Sequence, residues 1–184
     1  MTLPNTTVED IAVDTLLSQS KPKIDGNFED LIANDIDMEA RINSALIKFT
    51  PEGGLAIRIL NKTGAASVKG SVVAASTATA NAFKLQANEL DAMGVVYESG
   101  IADASLCWVV VQGIAEVLLK DTTASTIGYW VKCADTDGRA DATNTAPLGS
   151  SFAEVTDHFK EIGHCIESKV AGTNVLAKII LHFN

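Results

Sequence analysis

The sequence predicts an all-β domain, a barrel or sandwich of short antiparallel strands, carried behind an N-terminal extension of a short helix plus an extended arm. Three observations predict it. Glycine is unevenly spread: Gly26 stands alone in residues 1–50, and the other twelve of the 13 glycines come later. Between those later glycines, short β-branched runs recur at about the 8–12-residue spacing of small sheet proteins. The composition, 47% apolar against 20% charged, is that of a chain that buries a core. The change of grammar falls at Pro51-Glu-Gly-Gly54. It separates an arm over 1–50, suited to docking or oligomerisation, from a β-barrel or sandwich domain over 51–184.

The arm is acidic, with nine Asp and Glu against four Lys and Arg. Thr6-Thr-Val-Glu9 has the form of a capping box, and Val8, Ile11, Ala12 and Leu16 follow at helical spacing, so a helix is expected over about 7–18. Lys21–Asn27 reads as a linker or turn and Phe28–Ala33 as one helical turn. In Asp35–Asn43 polar and apolar residues alternate, which is strand periodicity with Ile36, Met38, Ala40 and Ile42 on one face. A helix stays open there, because Ile42, Leu46 and Phe49 also make a helical stripe. The alternate carboxylates Asp35, Asp37 and Glu39 lack the glycine and distal glutamate of a calcium loop and read as a solvated strand face.

The second region reads as successive strands. Leu55–Leu60 leads to a turn at Asn61–Gly64; Ser67–Ala75, broken at Gly70, then Ala82–Ala87 and Val95–Glu98 follow. Leu106–Gln112 and Ile114–Lys120 are expected as two strands parted at Gly113 by a bulge or tight bend rather than one long strand. Ile127–Ala134 ends in Asp135-Thr-Asp-Gly138, a hairpin-turn signal. Phe152–Lys160 reads as a loop or a single helical turn. Ile162–Lys169 and Val175–Phe183, joined by Ala171–Asn174, form a closing hairpin.

Charge and motifs argue against several classes of function. The net charge is −9 with lysines scattered singly, which disfavours direct nucleic-acid binding. No apolar run approaches the roughly 20 residues that span a bilayer, and the acidic start lacks the form of a signal peptide; a soluble protein made inside a cell is expected. Cys107, Cys133 and Cys165 show no metal-ligand spacing and read as buried thiols of a reducing cytosol. The sequons Asn5-Thr-Thr7 and Asn61-Lys-Thr63 are then expected to be chance.

His158, His164 and His182 have no nucleophile motif beside them and read as structural or surface residues. Cys165 neighbours His164 but on a strand faces the other way. Asp135–Asp141 begins like a calcium loop yet has Ala146 where the last acidic ligand belongs, so a hairpin turn is expected. No phosphate-binding glycine motif occurs. Trp108 and Trp130 read as core or interface residues. No enzyme, cofactor or metal site is expected.

Five elements in order resemble a known family. They are Asn61-Lys-Thr-Gly64 with Val68-Lys-Gly-Ser-Val-Val73; Gly94-Val-Val-Tyr97 to Gly100; Val111-Gln-Gly-Ile-Ala-Glu-Val117; Ile127-Gly-Tyr-Trp-Val131; and Glu161-Ile-Gly-His-Cys-Ile166 with Gly172–Leu181. Their order and spacing resemble the head-decoration, or capsid-cement, proteins of tailed phages. The resemblance implies a non-enzymatic virion protein, made in the bacterial host cytoplasm and placed on the capsid exterior. It further implies the major capsid protein as partner and self-association, a trimer by analogy. The first 50 residues and Ser150–Lys160 have no counterpart in the short decoration proteins, which leaves a fibre, tail or neck adaptor as the alternative.

Such a protein works through area and symmetry. The arm strand, with Ile36, Met38 and Ile42, is placed to add to a sheet edge of a shell subunit. Apolar residues at adjacent positions in Leu106–Leu119 give that strand two dry faces. One belongs to the core. The other is assigned either to a sister subunit or shell, with Trp108, Val110 and Ile114 as candidate interface residues, or to a second sheet of the same domain.

Overall fold

The computed structural model describes residues 30, 46–87, 91–146 and 152–183. The chain divides into two units, Met1–Ala45 and Leu46–Asn184. The helix expected over 7–18, the linker and the Asp35–Asn43 strand lie outside the described residues.

Ten strands of the second unit are described: β1 (Ile47–Phe49), β2 (Gly54–Asn61), β3 (Val72–Ala75), β4 (Ala82–Leu85), β5 (Ala92–Val96), β6 (Leu106–Leu118), β7 (Trp130–Cys133), β8 (Ala140–Thr143), β9 (Glu161–Cys165) and β10 (Leu176–Leu181). They form one sheet in the order β1-β2-β4-β3-β5-β6-β10-β9-β7-β8, and β2 also pairs with β6. That additional pairing closes β2, β4, β3, β5 and β6 into a five-stranded barrel. The domain is all-β, and of the two expected architectures it is the barrel. Its ladders are antiparallel except β2–β4, which runs parallel over Leu60–Asn61.

The sheet begins earlier than composition suggested. Ile47–Phe49, assigned above to the arm, pairs with β2, Lys48 opposite Ala56. The Gly54 N–H donates to Thr50 Oγ1 at 3.0 Å and fixes the turn between them. The glycines that mark the composition change sit in this turn, one strand after the sheet has started.

Leu106–Leu118 is one continuous strand, not two. Gly113 bends it without ending it: its φ is +82°, and a Cβ there would meet the Gly53 carbonyl oxygen at 2.5 Å. In the ladder with β2, Leu55 faces Gln112 and Ala56 faces Val110, so Val111 is an extra, bulged residue. Bulge and bend together invert the alternation of the strand. Before them Cys107 and Val109 join one cluster, with Val73, Phe83 and Val96. All five barrel strands contribute to this cluster once the half-buried Ile59 is counted, so it fills the barrel. Trp108 and Val110 face the other way, into a second cluster that also receives Ala115, Val117 and Leu119 from beyond the bend.

The second cluster joins the barrel wall to an extension. After Gly113, β6 pairs with β10, Ile179 opposite Ala115. Then β9, β7 and β8 follow, and the curl returns to the end of β6 through a single bridge between Leu119 and Ala140. Val131, Cys133, Ala140, Ile162, Cys165 and Ile179 fill it. The β7–β8 hairpin turns at Asp135–Gly138 as the sequence predicts. Arg139 holds it down, donating to the Leu119 carbonyl at 2.9 Å, to Asp121 at 2.8 Å and to Asn174 at 2.6 Å.

Phe152–Phe159 forms an eight-residue helix, α1, rather than a loop or one turn. The sequence Ser151-Phe-Ala-Glu154 ahead of it has the spacing of a capping box.

Candidate functional site

The six candidate interface residues separate. Trp108 and Val110 are 8% and 1% exposed, packed in the second cluster of their own chain. The remaining face of the Trp108 ring is covered by Lys48, whose Nζ lies 4.5 Å from the ring centre and equally close to Tyr97. The second dry face of β6 is thus met by the chain's own extension, and a sister subunit is not needed to cover it. Ile114 is half-buried beside the Gly53 turn. Ile36, Met38 and Ile42 lie outside the described residues.

The Asn61-Lys-Thr63 sequon proves to be a loop clamp. Asn61 is fully buried. Its Nδ2 donates to the carbonyls of Ala65 and Ile101, both at 2.9 Å. Its Oδ1 accepts from the Thr63 N–H at 3.1 Å and the Thr63 hydroxyl at 2.8 Å. With both amide hydrogens committed inside the fold, this nitrogen is no acceptor for a glycan. Next to it the Gly64 N–H donates to Asp103 at 2.9 Å, and this bond holds the Asp103 carboxyl below the usual range.

A groove of about 540 Å³ runs past Val68, Ser71, Leu85, Leu118, Arg139 and Leu176. The Arg139 guanidinium on it donates to the three acceptors named above, and Lys69, which also lines it, pairs with Glu116.

Chemistry gathers elsewhere. All three histidines of the chain converge on one carboxylate, Glu161, whose side chain is 2% exposed. Glu161 Oε1 lies 3.1 Å from His182 Nε2 and 3.7 Å from His164 Nε2, and Oε2 lies 3.4 Å from His158 Nδ1. The His164 ring stacks obliquely on Trp130, centroids 4.3 Å apart, and on His182 at 4.8 Å.

The local fold explains why. Residues 161 and 164 are an odd number apart, so on a regular strand they face opposite sides. In the β7–β9 ladder, however, Trp130 faces His164 and Val131 faces Gly163, while Lys132 faces Glu161. Ile162 is the extra residue of a bulge, and it turns Glu161 onto the face of His164. Ile180 pairs with His164, which carries His182, two residues on, to the same face. Gly163 makes the bulge possible: its φ is +150°, and a Cβ would stand 2.0 Å from the Ile180 carbonyl oxygen. His158 arrives from the last turn of α1.

Among the described residues, Glu161, His164 and His182 form a group able to hold a metal ion, with their ligand atoms all within 4.8 Å of one another. Sequence reading missed them by treating the strand as regular; the signal was a glycine inside an apolar strand, which marks a bulge. Cys165, beside His164, faces the core at 1% exposure, and burial pushes its thiol pKa up. Compared with known proteins, the chain matches no family model and no curated protein.

Proposed function

We propose that the protein is a non-enzymatic structural component of a tailed-phage particle that binds the outside of the capsid and stabilises the shell. What carries the reading is the ordered series of glycine-punctuated elements from Asn61 to Leu181 that resembles the head-decoration proteins. Each has a place in the fold: the Asn61 clamp leaves β2, Gly94 lies in β5, Gly113 bends β6, Gly128 precedes β7, Gly163 makes the β9 bulge and Gly172 turns the chain into β10.

A means of attachment goes with it. Among the described strands β1 ends the sheet order; its Ile47 and Phe49 and the preceding Leu46 are 58%, 83% and 65% exposed. An open apolar edge of this kind accepts a strand from a shell subunit, main-chain hydrogen bonds giving affinity and the apolar side chains giving register. Self-association as a trimer, by the resemblance, multiplies that contact. The net charge of −9 suits the outside of a DNA-filled shell rather than its lining. No helix among the described residues is long and apolar enough to cross a membrane.

Quantitative mass spectrometry of purified particles tests the reading. One copy per shell subunit, or one per three, is the expected result. A few tens of copies per particle would move the protein to a fibre, tail or neck position, and absence from particles would end the virion assignment.

A further inference from the structure

We propose that Glu161, His164 and His182 bind a divalent transition-metal ion of the zinc type, which ties β9 to the C-terminal end of β10. The proposal uses no residue of β1 and does not rest on the particle reading. It rests on convergence. Glu161 Oε1 is 3.1 Å from His182 Nε2 and 3.7 Å from His164 Nε2, and all three ligand atoms fall within 4.8 Å of one another. Donors bonded to a tetrahedral zinc at about 2.0–2.2 Å stand about 3.3 Å apart. Small ring rotations close the set, and the two imidazoles have room for them, being 33% and 43% exposed.

The donor chemistry selects the ion. Two imidazoles with one carboxylate suit zinc, cobalt, nickel or ferrous iron, whereas magnesium and calcium take oxygen ligands. Three protein ligands leave at least one coordination position, which opens toward solvent between the partly exposed rings and is filled by water. The supporting shell is also present. His158 Nδ1 stands 3.4 Å from the second oxygen of Glu161, the kind of outer contact that fixes a ligating carboxylate. Trp130 packs on the His164 ring, centroids 4.3 Å apart, and supports it from one side. The bulge at Ile162 and the close approach at Gly163 set the backbone beneath all three ligands.

The consequence is mechanical. His182 lies just beyond the last residue of β10, and Glu161 opens β9. An ion between them adds a side-chain tie to a strand end already held by the Leu181–Gly163 pair and by the His182 N–H, which donates to the Ile162 carbonyl at 3.1 Å.

Titration of the chelator-stripped full chain with Co²⁺ tests this directly. The expected result is one ion per chain, with the visible bands of a tetrahedral site, displaced by Zn²⁺ and unaffected by excess Mg²⁺ or Ca²⁺. His164→Ala and His182→Ala each weaken binding by at least about tenfold, and His158→Ala by less. Because those variants disturb a strand face, the wild-type chain is also read by NMR: stoichiometric Zn²⁺ shifts the imidazole resonances of His164 and His182. Zn²⁺ also raises the melting temperature of the wild type and not of His182→Ala. No ion bound at about 100 μM metal, or an affinity unchanged by His164→Ala, overturns the proposal.

Discussion

The five-stranded barrel and the extension share β6 and are filled by the same kinds of side chain, yet they are closed in different ways. The barrel is closed by strand pairing, β2 to β6, along nearly the whole length of β2. Its filling, Val73, Phe83, Val96, Cys107 and Val109, is apolar apart from one thiol. The extension is closed by the single Leu119–Ala140 bridge and by ties at its rim. Arg139 ties its own hairpin to the segment after β6 and to the β9–β10 loop, and Ser125 Oγ donates to the Glu167 carbonyl at 2.8 Å. A closed ring satisfies its own backbone groups and leaves side chains little to do but fill it. An open curl relies on polar side chains for closure, and its rim is where Glu161 and the histidines collect.

If that contrast holds, the barrel stands without the extension and the extension does not stand without the barrel. The largest expected effect is that of Phe83→Ala, which empties a fully buried site in the barrel and costs about 3–5 kcal/mol. Since β6 walls both regions, the loss of protection in amide exchange should reach Ile179 in β10 as fully as Val109 in β6. Protection retained at Ile179 would make the extension a folding unit of its own.

Gly163→Ala approaches from the other side. The added Cβ meets the Ile180 carbonyl oxygen at 2.0 Å, in a backbone conformation that L residues avoid. About 3 kcal/mol is the expected loss. Here exchange should quicken at Ile179 and His164 while Val96 and Val109 stay protected. Equal loss in both regions would show one cooperative unit and remove the distinction.

The sequence made the barrel easier to read than the site. Turn chemistry is local, so the Asn61–Gly64, Asp135–Gly138 and Ala171–Asn174 turns and most of the strands between them follow from residue type. Bulges are not local. Whether Val111 or Ile162 is the extra residue is decided by a partner strand far away in the chain, β2 for the first and β7 for the second. Each bulge reverses the two-residue alternation, so strands read as regular assign side chains beyond it to the wrong face. The adjacent apolar residues of β6 showed two dry faces but not what meets the second one, and the pairing of Glu161 with His164 had no sign in their spacing. Gly113 and Gly163, glycines inside apolar strands, were the only local sign of either reversal. The β1 strand was missed for a related reason: three residues with no turn before them carry little pattern until β2 supplies their partner.

The smallest effect expected of the contrast concerns the barrel interior alone. Cys107 is fully buried there, and burial pushes its thiol pKa up to about 11, against about 8.5 for a cysteine in an unfolded chain. A thiol held protonated by the fold contributes stability that is complete below the unfolded value and is lost as pH climbs toward the folded one. Above about pH 8.5 the unfolded chain releases this proton while the native barrel keeps it, so stability drifts down by on the order of 2 kcal/mol by about pH 10. Cys107→Ala starts from lower stability because it leaves a cavity, but it has no such proton to lose. Urea midpoints measured from pH 7 to pH 10 should therefore converge, the wild type falling toward the variant. Parallel curves would mean that water reaches the thiol and that the barrel interior is less tightly closed than its ring of strands implies.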